Sequence, residues 1–337
     1  MATGNRTTFR RQRRRFSWRG AGWLVLALAT VPDAALAQVA SDQAARSPWG
    51  PDDQIGALNR MTEDSRARIL RQVAGGKVYD LGVELFVGMP NCCGALGDPG
   101  FQIWMTHAPA RGGEELLSYS GDAVSMYTHT GTHIDALNHF GLHGRIWNRV
   151  EAADALGERG WSRSGVDRYP PIVARGVLID VAGAKGLERL PSSYTITVAD
   201  LENALARQQT ALEPGDVVLI RTGMMTVWPD PARFRMDDQP GLGLEAARWL
   251  VDEHEAMLIG ADNFAVERTP SPRPDNFVPL HSYLFAERGV SIIEVMWLED
   301  LARDAVYEFL FVGAPLKLRG ATGGPIRPLA LPIRLRG

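Results

Sequence analysis

The chain has 337 residues, of which 45% are hydrophobic and 22% are charged, proportions that are ordinary for a globular enzyme. Its net charge at pH 7 is −3, which argues against the strongly basic surface that nucleic-acid binding requires. The length allows two domains or one large α/β domain.

The first 37 residues have the order of a secretory signal. Six arginines from Arg10 to Arg19 precede the apolar run AGWLVLALATV, and Ala35 and Ala37 give the small-x-small pattern of a cleavage site. The apolar run is shorter than the roughly 20 residues of a membrane-spanning helix. We predict an export signal cleaved near Ala37, with RRRFSW resembling a twin-arginine motif, and a periplasmic or secreted mature protein without a stable membrane span. The Sec route and a basic arm with a membrane anchor are the alternatives.

The cysteines offer no disulfide framework. Cys92 and Cys93 are adjacent, so a bridge between them would close only a strained eight-membered ring and would staple no long loop. The mature protein must therefore be held together by its core. A thiol pair in a loop or in the core is the simpler interpretation, and a soft metal ligand or redox pair is the alternative.

Residues 38–76 are predicted to form an N-terminal arm and a helix. SPWGPDDQIGALNRMT is punctuated by proline and glycine, and a helix follows from about Thr62 to Val73, with Ile69, Leu70 and Val73 as its apolar stripe. KVYDLGVELF then alternates like a strand. The stretch from Val87 to Gly113 is predicted to be a long functional loop.

The remainder alternates between buried strands and amphipathic helices. GVLIDVAG and GDVVLIRTG are predicted strands of the kind that are buried on both faces, and AMLIGADN and GVSIIEVMWL are further buried strands. YEFLFVGAPLKL is predicted to be the final strand of the sheet. TVADLENALARQQ, with Thr197 as N-cap, and GLEAARWLVDEHEA are the predicted helices. This alternation predicts one compact α/β domain.

The segment HTGTHIDALNHF concentrates the chemistry. In an extended backbone, alternate residues share a face, so His129, His133, Asp135 and His139 would point the same way, with Gly131 leaving open space beside the histidines. Imidazole and carboxylate groups together are typical ligands of Zn or Mn. His139 is either another ligand or a general acid–base. A polar loop without a metal is the alternative.

HTGTHIDALNHF resembles the H-x-G-T-H-x-D-x-P-x-H-F signature of the cyclase family, which includes kynurenine formamidases, isatin hydrolase and a metal-dependent dienelactone hydrolase. Leu137 takes the place of the proline, and Asn138 follows it. The resemblance spans roughly Lys77 to Pro315. It implies a cyclase-like hydrolase domain over residues 77–337, with a swivelling β/β/α fold in which helices flank a mixed sheet.

The resemblance also implies ligands far downstream, which HSYLFAERGVSIIE supplies as His281 and Glu294. By this resemblance, one metal is held by His129, His133 and Asp135, and a second could be bound by Asp135, His281 and Glu294. Glu294 interrupts an apolar run, where an unpaired carboxylate would be costly. A satisfied structural histidine and a strand-end surface carboxylate are the alternatives. GADNFAVERTPSP resembles another family stretch, in which Asp262 would shape the site without binding metal.

The implied reaction is amide C–N hydrolysis by metal-activated water, with His139 as acid–base. The expected substrate is a small aromatic or cyclic amide, which Phe101, Trp104 and Trp147 would suit as pocket residues. Burial of each ring in the core is the alternative. A lactone hydrolase with the same site and a periplasmic metal-binding protein are the alternatives. We expect one or two Zn or Mn ions per subunit, no nucleic-acid partner, and a homodimer or homotetramer.

Overall fold

The computed structural model describes residues 43–91, 97–109 and 116–334. The predicted export signal and the cysteine pair lie outside these residues. No helix in this described part of the chain is long and apolar enough to cross a membrane.

The strands of the described residues are numbered in chain order. They are β1 (Tyr79–Asp80), β2 (Gln102–His107), β3 (Gly121–Ser125), β4 (His133–Asp135), β5 (Arg145–Ile146), β6 (Val150–Glu151), β7 (Leu156–Gly157), β8 (Gly160–Trp161), β9 (Ile172–Asp180), β10 (Thr195–Ile196), β11 (Val217–Arg221), β12 (Gly241–Leu242), β13 (Leu258–Ala261), β14 (Ser291–Glu294), β15 (Glu308–Gly313), β16 (Gly323–Pro325) and β17 (Leu329–Pro332).

A nine-stranded mixed sheet dominates the described residues, in the order β1-β17-β15-β9-β11-β13-β14-β4-β16. Its centre, β9-β11-β13-β14, is parallel. The strands on either side of that centre pair antiparallel. The predicted mixed sheet with flanking helices is therefore confirmed.

The helices, numbered in chain order, are α1 (Glu63–Leu70), α2 (Ala152–Ala155), α3 (Val181–Ala184), α4 (Val198–Gln208), α5 (Leu244–Arg248), α6 (Pro279–His281) and α7 (Glu299–Arg303). Residues Trp249–Glu253 and Ser282–Arg288 continue α5 and α6 as π-helical segments. Single 3₁₀ turns occupy Gly56–Arg60, Trp147–Arg149, Val166–Arg168, Met224–Val227 and Met236–Asp238.

The predicted central strands are present because their apolar runs are covered on both faces. Every residue of β11, β13 and β14 is buried, as expected of parallel strands flanked by helices. Each fully buried aliphatic side chain in such a core contributes about 1.5–3 kcal/mol. The last strand of this buried centre, β14, pairs with β4 and thereby places Glu294 beside His133.

Thr197 begins α4 as predicted. Its hydroxyl accepts the Asp200 backbone N–H, while the Asp200 carboxylate accepts the Thr197 N–H, which is a reciprocal capping box. Leu201 and Leu205 are buried against the sheet. The N-terminal helix differs in one respect, because Ile69 is buried as predicted but Leu70, where α1 ends, is 53% exposed.

Two predictions about the segment before the histidine motif need correction. KVYDLGVELF forms only the two-residue strand β1, and the chain after Asp80 is irregular. The long loop predicted over 87–113 instead contains β2, which pairs with β3 as an antiparallel hairpin. The pairing partner lies beyond that segment, whose own sequence shows only the glycines and prolines typical of a loop.

Candidate active site

Strands β4 and β14 bring three site residues together. His133 and Glu294 are cross-strand partners, and Asp135 lies on the same face of β4 as His133 because side chains alternate along a strand. His133 Nε2 lies 3.3 Å from Asp135 Oδ1 and 3.6 Å from Glu294 Oε2. All three side chains are buried. Glu294, the carboxylate that interrupts an apolar run, is therefore part of a buried polar cluster.

The extended row predicted for the histidines covers only β4. His129 lies in a turn before the strand and His139 in a bend after it, so the prediction of one continuous strand is wrong. The side chains converge nevertheless. His129 Nδ1 donates to Asp135 Oδ1 at 2.6 Å, and His139 Nε2 lies 3.8 Å from Asp135 Oδ2. The His129 and His139 rings stack at 4.0 Å between centroids.

Gly131 was predicted to leave open space for a ligand, but it does not. Instead, it allows the backbone conformation of the turn before β4. Its φ is +61°, and a Cβ there would overlap Leu85 Cδ2. A side chain would therefore meet both a strained backbone and a packed neighbour. The Gly131 carbonyl accepts the Nδ1–H of His133 at 2.8 Å, and this bond leaves His133 Nε2 facing the carboxylates.

His281 reaches the cluster from the end of α6. Its Nδ1 donates to Glu267 Oε1 at 2.7 Å, while its Nε2 lies 3.3 Å from Glu294 Oε1 and 3.9 Å from Asp135 Oδ2. Glu267 also accepts the backbone N–H groups of Leu280 and His281. His133 and His281 therefore present their Nε2 atoms to the same pair of carboxylates.

The backbone after Glu294 is held in an unusual conformation. Val295 has a φ of +56°, which is strained for a β-branched residue. Its N–H donates to the Asn263 carbonyl at 3.1 Å, and its carbonyl accepts the Thr132 hydroxyl at 2.6 Å. These bonds tie the end of β14 to the turn that carries the histidines and fix the position of Glu294.

Burial and charge act in opposite directions on the site's ionisable groups. Burial opposes protonation of His133, but Asp135 and Glu294 outweigh it and raise the pKa to about 9. Burial likewise opposes protonation of His281, whose pKa Glu267 and Glu294 raise to about 10.

The pKa values of His139 and Asp135 are both lowered. Burial holds the pKa of His139 well below its usual value, and the charge of Asp135 offsets this only in part. Burial favours the neutral form of Asp135, but the charges of His129 and His139 outweigh it and hold the pKa of that carboxyl well below its usual range. At neutral pH, Asp135 is therefore ionised and His139 is an unprotonated base.

Two groups of side chains have the spacing of metal ligands. One comprises His133, Asp135 and Glu294, and the other comprises His129, Asp135 and His139. Asp135 is shared, as in the sequence prediction, but His133 groups with Glu294 here and His129 groups with His139. The residues predicted as ligands are close together in space, but neither predicted set of three forms such a group, and His281 belongs to neither of the two.

A cavity of about 110 Å³ opens onto this cluster. Its polar wall is formed by the site histidines and carboxylates. The remaining lining residues are Asp98, Tyr127, Phe140, Met236, Phe264, Ala265, Phe277 and Val278. The cavity is therefore polar on one side and largely aromatic on the other.

The three aromatic residues predicted to form the pocket do not line this cavity. Phe101 is buried, and Trp104 on β2 is 50% exposed. Trp147 is buried in the core, where its Nε1–H donates to Asp53 Oδ2 at 2.8 Å and ties the N-terminal arm to the domain. The pocket is aromatic as predicted, but other residues supply its rings.

The comparisons with known proteins agree with this geometry. The family model described as putative cyclase matches residues 79–268. The chain belongs to the cyclase family. The family prediction made from HTGTHIDALNHF is confirmed.

Relatives of this cyclase-family chain include Cyclase-like protein 3 of Oryza sativa subsp. japonica, 24% identical over 254 residues, which are 75% of this chain and 79% of that protein. A kynurenine formamidase of Bacillus cytotoxicus is 30% identical over 223 residues, 65% of this chain and 84% of that protein. Among solved structures, one described as a novel cyclase is 32% identical, with a TM-score of 0.75 over 84% of this chain and 96% of its own. Isatin hydrolase A of Ralstonia solanacearum is 25% identical, with a TM-score of 0.60 over 76% and 91%.

Two residues that support the candidate site were not predicted from the sequence, Glu267 and Thr322. Glu267 orients His281 but lies in the diverged stretch GADNFAVERTPSP, where Asp262 was the residue predicted to shape the site. Asp262 instead accepts hydrogen bonds from Thr222 and from the Gly223 N–H, so it stabilises the turn after β11. Thr322, whose Oγ1 lies 2.9 Å from His129 Nε2, had no local signal.

Proposed function

We propose that this chain is a metal-dependent hydrolase that cleaves the amide C–N bond of a small aromatic or cyclic amide. One observation carries the proposal. The Nε2 atoms of His133 and His281 face the buried carboxylates of Asp135 and Glu294, at the polar wall of a cavity that is otherwise largely aromatic. The kynurenine formamidase and isatin hydrolase among the relatives support amide hydrolysis, since isatin is a cyclic aromatic amide.

The donor set fits a divalent metal. Imidazole and carboxylate groups suit Zn or Mn, and the Nδ1 atoms of His133 and His281 each donate to an acceptor, which is how metal-binding histidines are usually oriented. The described cavity lining contains no Lys or Arg, so the positive charge that offsets the carboxylates comes from the histidines or from a bound cation. We assign one or two ions to the set His129, His133, Asp135, His281 and Glu294.

A divalent metal held there would lower the pKa of a bound water and polarise the amide carbonyl. His139 would accept the proton of the attacking water at Nε2 and return it to the leaving nitrogen as the C–N bond breaks. Its unprotonated state at neutral pH suits the first of these steps. The rings of Phe140, Phe264 and Phe277 would hold a flat substrate against the polar wall.

The test is a hydrolysis panel on protein loaded with Zn or Mn and lacking the export signal. We expect turnover of N-formylaniline or isatin to exceed that of a simple lactone, and Asp135→Asn to lose both the metal and the turnover because the shared carboxylate is weakened. Asp122→Asn, at an exposed position of β3, is the control. Full metal content in Asp135→Asn by elemental analysis would contradict the site. Turnover of the lactone alone would mean that the substrate is a cyclic ester and not an amide.

A further inference from the structure

The cavity contains one charged group outside the histidine–carboxylate cluster. Asp98 lies on its wall, half-buried, and no Lys or Arg lines the cavity in the residues that the structure describes. Arginines that neighbour the lining residues Met236 and Phe277 in the chain are engaged elsewhere, since Arg235 pairs with Asp237 and Arg273 pairs with Asp275. In the part of the chain that the structure describes, the charged group of the cavity wall outside that cluster is therefore a carboxylate.

Asp98 is also unengaged. Within 43–91, 97–109 and 116–334 it makes no hydrogen bond or ion pair, unlike the other acidic residues around the cavity. A partly desolvated carboxylate without a partner gains from a cation or a hydrogen-bond donor and is opposed by a second negative charge. A substrate bound in this cavity would share its wall with this side chain.

Resting on the amide hydrolase function proposed above, we propose that Asp98 determines specificity by selecting the charge of the substrate. The site takes aromatic amides whose ring carries an ammonium or neutral substituent. It rejects amides whose ring carries a carboxylate, because neither Asp98 nor the aromatic wall offers that group a partner.

The experiment uses three formanilides that differ only in the charge at the para position. They are 4-(aminomethyl)formanilide, 4-ethylformanilide and 4-formamidophenylacetate, in which a methylene group separates the charge from the ring and keeps the reactivity of the formamide similar. We measure kcat/KM and the dissociation constant for each with the metal-loaded protein. The variants are Asp98→Asn, Asp98→Lys and the control Glu158→Lys, which makes the same charge change at an exposed turn outside the cavity.

We expect the native protein to favour the cationic over the anionic compound by about tenfold or more, the scale of one charge pair near a protein surface. Asp98→Asn should bring this ratio towards unity, Asp98→Lys should reverse it, and Glu158→Lys should leave it unchanged. A ratio that is the same in the native protein and in Asp98→Lys overturns the proposal. If no compound is hydrolysed, the amide hydrolase function fails, and the order of the dissociation constants still decides whether Asp98 selects charge.

Discussion

His139 differs from the other histidines of the site in its environment. Its side chain is 19% exposed, whereas those of His129, His133 and His281 are 4% exposed or less. It stacks on His129 and lies 3.8 Å from Asp135 without a short bond to it. A base must reach both solvent and substrate, and His139 has the access that the others lack.

We therefore expect His139→Ala to lose about 10²–10⁴-fold in kcat, the usual contribution of a general acid–base, while metal content by elemental analysis stays at the native level. His107→Ala, at an exposed position of β2, is the control and should change neither. Loss of metal in His139→Ala would make His139 a ligand. Native turnover with full metal content would exclude it from both roles.

The residues of the candidate site that lie within a short motif were predictable from the sequence, while their supporting partners were not. His133 and Asp135 follow from a single segment, and Glu294 was predicted from the family resemblance, which its position in an apolar run supports. Glu267 and Thr322 act through contacts across the fold, to His281 and His129, and nothing in their own segments distinguishes them. Trp147 shows the opposite outcome. It was considered a pocket residue because it lies near the motif, but its ring is buried in the core.

Among the elements, long apolar runs were the most predictable. Strands β9, β11, β13, β14 and β15 were all anticipated, because strands that are mostly buried require runs of apolar residues. The strand predicted around the histidines was too long, because β4 spans only His133–Asp135. Its length is set by pairing with β14 and β16, and the turn before it is set by a glycine in the left-handed region.

That turn can be tested with Gly131→Ala. An alanine at positive φ costs about 1–2 kcal/mol, and its Cβ would also overlap Leu85. We expect the free energy of unfolding to fall by about 2–3 kcal/mol, from the sum of strain and overpacking. Metal affinity should fall too, because the Gly131 carbonyl orients His133. Chemical denaturation and metal titration measure the two effects.

Two further variants separate the backbone strain at residue 131 from the overlap of its Cβ with Leu85. Gly50 has a φ of +104°, and no atom lies within 4 Å of the place that a Cβ would occupy there, so Gly50→Ala should show strain alone. Adding Leu85→Ala to Gly131→Ala should restore part of the metal affinity by removing the overlap. A Gly131→Ala protein with native stability and native metal affinity would show that this turn does not position the histidines.

The site draws on the whole described domain. His133 comes from β4, Glu294 from β14 and His281 from the end of α6, while Thr322 lies just before β16. The sheet order that joins these strands is a long-range property, which a one-dimensional pattern indicates only as a fold class. The hairpin of β2 and β3 is less integrated, because every residue of β2 is exposed. Only the residues that flank the hairpin, Asp98 and Tyr127, border the cavity.

This hairpin supports the expected homodimer or homotetramer. Ile103, Trp104 and Met105 are 48–56% exposed, and an isolated two-stranded hairpin is at best marginally stable in water, whereas exposed apolar patches commonly mark protein interfaces. We expect the chain without its predicted export signal to sediment as a dimer or tetramer and Trp104→Lys to shift it towards the monomer without unfolding it. Leu187→Lys, at another exposed apolar position, should leave the assembly intact. A native protein that sediments as a monomer at micromolar concentration would mean that the hairpin stands in solvent unaided.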